Sequence, residues 1–149
     1  MEKQAYLQER LESDKGRMKG RLLEWGGTLD RCGRKQEELR KLGKLREEQR
    51  QIWLEQETEG GRQILQEIDR IYEEQLQRIK GEMEEMMRKK AEMDKRLLEL
   101  TGEEQKFVEL RYGKGYGFDY ISMKLHMSRA TLFRLQEKIL RTLAGNETH

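Results

Sequence analysis

Residues 119–140 read DYISMKLHMSRATLFRLQEKIL. Ile121 and Leu125 lie four residues apart, and Leu132, Leu135 and Ile139 follow at spacings of three and four. That spacing puts apolar side chains on one face of a helix. His126 and Met127 separate the two patterns, and Ser128 stands where an N-cap hydroxyl would accept from the first turn of the next helix. The spacing therefore predicts a helix over 118–125, a three-residue turn, and a second helix running to Leu143. This is the spacing of a helix-turn-helix, a motif that sets its second helix into the major groove of DNA.

The N-terminal residues of that second helix would face base edges: Arg129, Ala130 and Thr131, then Phe133 and Arg134 one turn on. An arginine can grip guanine at O6 and N7. Lys124, Ser128, Lys138 and Arg141 fall where phosphates are met. Phe133 sits on the outer face between Leu132 and Arg134, and two uses for it stay open: a thymine methyl, or packing against the long helix that precedes residue 100. The competing reading of the whole face is an ordinary solvated basic surface.

Upstream, Thr101-Gly-Glu-Glu104 has the pattern of a capping box, in which threonine and glutamate satisfy each other's backbone amides. A helix is expected from Thr101 to Tyr112, ended by the three glycines of GKGYG at 113–117. Before it, Leu65, Tyr72, Ile79, Met86, Met93 and Leu100 recur every seven residues. Asp69, Leu76, Met83, Lys90 and Leu97 are offset by four. This 4-3 seam predicts one helix over 62–100, about 55–60 Å long. The Gly60-Gly61 pair predicts a turn. Residues 28–57 carry a looser stripe of Leu29, Cys32, Gln36, Leu39, Leu42, Leu45, Ile52 and Trp53, so the two segments are expected to form an antiparallel helical hairpin. Residues 1–25 show a third helical pattern (Leu7, Leu11, Met18, Leu22, Trp25), broken by Gly26-Gly27; its place is open.

Composition agrees with long helices. Charged residues make up 40% of the 149-residue chain against 34% hydrophobic, too polar for one large core, and proline is absent. Lys/Arg and Asp/Glu are balanced over residues 1–100, whereas 111–144 hold seven cations against two acids. Positive charge concentrated there is the footprint expected of a nucleic-acid surface. The single cysteine, Cys32, excludes an intramolecular disulfide, and the two histidines have no partners at metal-site spacing. No cofactor or metal is expected. GKGYG lacks the context of a phosphate-binding loop, and no nucleophile–base pair is present, so an enzyme is not expected. No apolar run is long enough for a membrane span and no signal core opens the sequence, so the expectation is a soluble protein of a reducing bacterial cytoplasm.

LTGEEQKFVELRYGKGYGFDYISMKLHMSRATLFRLQEKILRTL, residues 100–143, resembles region 4 of sigma-70-family factors. The matching features are Arg111-Tyr112 closing a helix, Gly115 before the next, Ile121 and Leu125, Ser128 at the cap, then Leu132, Leu135, Leu140 and Leu143. With a charged helical arm in front, the whole is similar to sigma-like helix-turn-helix regulators of phages and prophages of Gram-positive bacteria. The resemblance implies sequence-specific duplex binding with Arg129, Ala130, Thr131 and Arg134 in the base-facing register, and admits contact with RNA polymerase. Three positions depart from the pattern. His126 replaces a turn glycine, Ser122 a small alanine, and Ala130 removes a polar reader. Residues 1–100 hold nothing like the other sigma segments, which argues against a working sigma factor.

The expected protein is thus all-α: a coiled-coil arm over 1–100, a helix-turn-helix over 101–145 and a tail at 146–149. Its seam residues Leu65, Tyr72, Leu76, Ile79, Met83, Met86, Met93 and Leu97 would support a homo-oligomer, with a dimer favoured, on double-stranded DNA and off the membrane. The alternative is a coiled-coil scaffold or adaptor, associated with RNA polymerase or phage packaging, whose helix-turn-helix does not read DNA.

Overall fold

A computed structural model of the chain describes residues 2–56 and 58–145. All regular structure among them is helical. The elements are α1 (Glu2–Gly26), α2 (Thr28–Leu54), α3 (Glu59–Leu97), α4 (Gly102–Val108) continued by a π-helical turn (Glu109–Gly113), α5 (Phe118–Leu125) and α6 (Arg129–Gly145). No described helix is long and apolar enough to cross a membrane. The residues form two compact units. One is Leu29–Arg88; the other joins the segment ending at Thr28 to the segment beginning at Lys89.

In the Leu29–Arg88 unit, side chains of α2 reach across to α3. Cys32 Sγ lies 3.9 Å from Met86 Sδ, Lys35 Nζ 2.8 Å from Glu82, and Arg46 3.2 Å from Asp69 and 3.1 Å from Glu73. Partners rise in number on α3 as they fall on α2, so the two helices run in opposite directions. Every seam position of α3 from Leu65 to Met86 is buried or half-buried, and Ile79 is almost fully covered. Asp69, a polar interruption of the seam, holds Arg46 and Arg50 of α2.

The stripe expected on α2 needs correction. The covered positions include Cys32, Lys35, Leu39, Leu42, Arg46, Gln49 and Trp53, a regular 4-3 series flanked by Thr28, Arg31 and Arg50, whereas Leu29, Gln36, Leu45 and Ile52 are exposed. Register, not hydrophobicity, selects the inner face: Lys35 and Arg46 keep that register because each finds carboxylates on α3. The turn also falls earlier than the glycine pair. Glu55, Gln56 and Thr58 lie between the helices, and Gly60 and Gly61 open α3. Thr58 Oγ1 accepts from the Gly61 amide at 3.0 Å, and a Cβ on Gly61 would stand 2.7 Å from the Gln56 carbonyl oxygen.

The other unit has an apolar core drawn from both ends of the chain. Met18 and Leu22 of α1, Met93 and Leu97 of α3, Leu100, Phe107, Val108, Tyr112, Ile121, Leu132, Ile139, Leu140 and Leu143 make one buried cluster. Each fully buried Leu, Ile, Met or Phe contributes about 1.5–3 kcal/mol. The upper seam residues Met93 and Leu97 thus serve this core. The expected capping box is present: Glu104 N donates to Thr101 Oγ1 at 3.2 Å and Thr101 N to Glu104 Oε1 at 3.0 Å.

α1, whose place the sequence leaves open, lies against α6 and the π-helical turn. Trp25 Nε1 donates to Asp94 at 2.7 Å and Lys90 donates to the same carboxylate at 2.9 Å. Burial pushes the Asp94 carboxyl up, but these two hydrogen bonds outweigh it and hold the group below its ordinary value. The expected α1 residues Met18 and Leu22 are fully buried and Trp25 half-buried; the side chains of Leu7 and Leu11 lie outside the described residues, as does the 146–149 tail. The tightest approach is at Gly26, where a Cβ would sit 1.8 Å from the Tyr112 carbonyl oxygen. Gly20, in contrast, has open space around it.

These two glycines give opposite expectations. Gly26→Ala must push α1 off Tyr112 and should destabilise by about 1–3 kcal/mol or more. Gly20→Ala, in mid-helix, should stabilise by about 0.5–1 kcal/mol. Urea unfolding of both variants beside wild type checks the pair; equal effects would show that Gly26 is not a packing contact.

Candidate nucleic-acid interface

α5 and α6 are set at their angle by a short, specific connection. His126 ends α5 in the left-handed conformation, φ 57° and ψ 44°. A histidine is tolerated there but not free, because its Cβ crowds the backbone. The Met127 amide donates to the Ser122 carbonyl at 3.1 Å, and Ser122 Oγ donates to the Met127 carbonyl, so the serine that replaces alanine helps hold the turn. Ser128 Oγ accepts from the Thr131 amide at 3.1 Å and shares a hydrogen bond with Thr131 Oγ1 at 2.8 Å.

α6 is sharply two-faced. Leu132, Ile139, Leu140 and Leu143 are fully buried. Ala130, Thr131, Arg134, Lys138 and Arg141 are exposed on the opposite side. Arg134 and Lys138 have no ion-pair partner among the described residues. Arg129 lies 3.4 Å from Asp119, but both are well exposed, so the pair is weak and easily exchanged. Lys124 is exposed on α5, and Ser128 is exposed at the start of α6.

Phe133 packs on α5 rather than on the long helix. Its ring packs on Phe118 of α5, with centroids 4.5 Å apart, yet 46% of the residue stays exposed. Phe118 is in turn near Phe107, at 6.2 Å, and lies under the Arg111 guanidinium at 4.7 Å. Phe133 is the open end of this row. Beside it Arg134, Glu137, Lys138, Arg141 and Thr142 complete the lining of an open groove of about 580 Å³. Tyr116 of the GKGYG loop packs on Tyr120 with tilted rings, their centroids 4.3 Å apart, and Gly115 beside it takes a φ of +74°.

One participant cannot be found from helical spacing alone. Lys15 of α1 is 5% exposed and ion-paired with Glu137, the sole acid of α6. A lysine between Leu11 and Met18 on an apolar stripe demands a partner when buried, and that was its only signal; the partner lies far along the chain. The Lys15 hydrogen bond holds the Glu137 carboxyl below its ordinary value, with Lys19 and Arg141 adding to the effect. No family model, curated protein or solved structure matches the chain.

Two outcomes are expected. His126→Gly should relieve the left-handed strain and raise stability by about 0.5–1 kcal/mol, read by urea unfolding; a loss would mean that the histidine side chain supports the turn. A depressed Glu137 pKa contributes stability that is present above the unfolded value and lost as pH falls through the folded one. The thermal midpoint of wild type should therefore fall more steeply than that of Glu137→Gln on acidification below about pH 4.3. Parallel curves would remove Glu137 from the acid response.

Proposed function

We propose that this protein is a sequence-specific DNA-binding transcriptional regulator of the sigma-70 region 4-like kind, phage- or prophage-encoded and acting in the bacterial cytoplasm. The observation that carries this reading is the exposed basic face of α6. Among the described residues Arg134 and Lys138 stand without ion-pair partners, opposite a fully buried apolar face, on a helix held to α5 by a three-residue turn. In this reading α5 and α6 are the helix-turn-helix. Arg129, Ala130, Thr131, Phe133 and Arg134 face bases, and Lys124, Ser128, Lys138 and Arg141 meet phosphates. Phe133, half open and held at a fixed position by Phe118, suits a thymine methyl.

The helical arm is the proposed coiled-coil dimerisation element. Its seam is only half-covered at Leu65, Tyr72, Leu76, Met83 and Met86. A two-fold dimer would present two copies of α6 to two half-sites. The exposed Leu45, Ile52, Leu54, Ile64 and Ile71 also favour a second reading, an adaptor that binds a protein such as RNA polymerase or a packaging component through α2 and α3.

Selection from a random duplex library separates the two. Wild type should enrich a reproducible motif, two-fold symmetric for a dimer. Arg134→Ala should lose about 1–3 kcal/mol on that motif and relax the preference at one position, whereas Lys138→Ala should weaken all sequences alike. A wild-type protein that enriches nothing would overturn base reading and leave the adaptor.

A further inference from the structure

The acid at position 137 is out of place on a DNA-binding face. It lies one turn from Phe133 and Arg134 and one turn from Arg141, and it lines the same groove. An uncompensated carboxylate there would repel phosphate. The chain compensates it from a distant segment. Lys15, 5% exposed, is ion-paired with Glu137 and lies 3.5 Å from Glu12 of its own helix, although the ends of most buried lysines reach for water. Lys19 is one turn farther along α1 on the same side, is exposed, and is near enough to act electrostatically on the same carboxylate. Met18 and Leu22, buried between and beyond these two lysines, fix α1 at this place. Lys15 thus contacts Glu137 directly, Lys19 and Arg141 act on it at longer range, and two of those three cations come from α1.

Resting on the DNA-binding reading above, we propose that α1 is part of the DNA-binding surface: Lys15 cancels the repulsion of Glu137, and Lys19 is a phosphate-contacting residue. The basic surface is then composite. Arg134, Lys138 and Arg141 come from α6, and Lys19 extends the cationic strip onto a helix that the sequence separates from it by more than a hundred residues. The ligand it takes is the sugar-phosphate backbone, without regard to base sequence.

The test is fluorescence anisotropy of the full chain with a labelled random-sequence duplex over a salt titration, with helicity and thermal midpoint recorded for each variant. Lys19→Gln should lower the slope of log affinity against log salt by about 0.9, the value of one phosphate contact. Lys15→Met should weaken binding by about three- to tenfold through the exposed repulsion of Glu137. Adding Glu137→Gln to Lys15→Met should restore it. An unchanged slope for Lys19→Gln overturns the phosphate contact. Lys15→Met that is not rescued by Glu137→Gln overturns the charge argument and leaves Lys15 a packing residue. Either result leaves the DNA-binding reading standing, because wild type still binds; a wild type that fails to bind the duplex in low salt removes both.

Discussion

The contact on which the unit that holds α6 depends is the backbone approach between α1 and the turn that follows α4. Gly26 meets the Tyr112 carbonyl so closely that no side chain fits between them. The π-helical turn at Glu109–Gly113, closed by the Lys114 amide donating to Glu109 at 2.8 Å, forms the facing surface. With the end of α1 fixed there, Trp25 meets Asp94, Met18 and Leu22 enter the core, and Lys15 arrives at Glu137. From the other side Tyr112 reaches Gln136 of α6 at 3.3 Å, so one tyrosine touches both helices. The geometry of α6 is set less by α5 alone than by this three-way packing.

Much of this could be read along the chain, because local rules govern it. The 4-3 seam, the Thr101–Glu104 capping box, the strained residue at 126 and the Ser128 cap each depend on residues within one or two turns of one another. What escaped was decided across the chain. On α2, the apolar residues Leu29, Leu45 and Ile52 mask the register along the chain, and only the carboxylates of α3 explain why Lys35 and Arg46 point inward. Gly60-Gly61 points to a turn, although the pair opens α3, where Gly61 packs too tightly against Gln56 and Thr58 to carry a Cβ. The role of Lys15 was hidden for the same reason. Nothing near position 15 names Glu137.

The candidate surface follows this division. Its α6 residues could be named from spacing, because a two-faced helix announces its outer side. Its electrostatic character could not, since net charge on that surface is set by an ion pair between α1 and α6. Counting cations along 111–144 gives the right sign. It counts Glu137 as a charge to be subtracted and leaves out the buried Lys15 that pairs with it.

The core that joins Met18 and Leu22 to Ile139 and Leu143 has a consequence for synthesis on the ribosome. Lys15 and Glu137 are separated by 122 residues, so α1 leaves the exit tunnel long before its packing partners exist. The Leu29–Arg88 segment can pair locally in the meantime, while Met18 and Leu22 wait with their apolar side chains uncovered. Contacts of such long range are slow to form and leave sticky surface open to aggregation in the interval. The nascent chain therefore acquires its basic groove last, once α6 has emerged and closed over a helix made first.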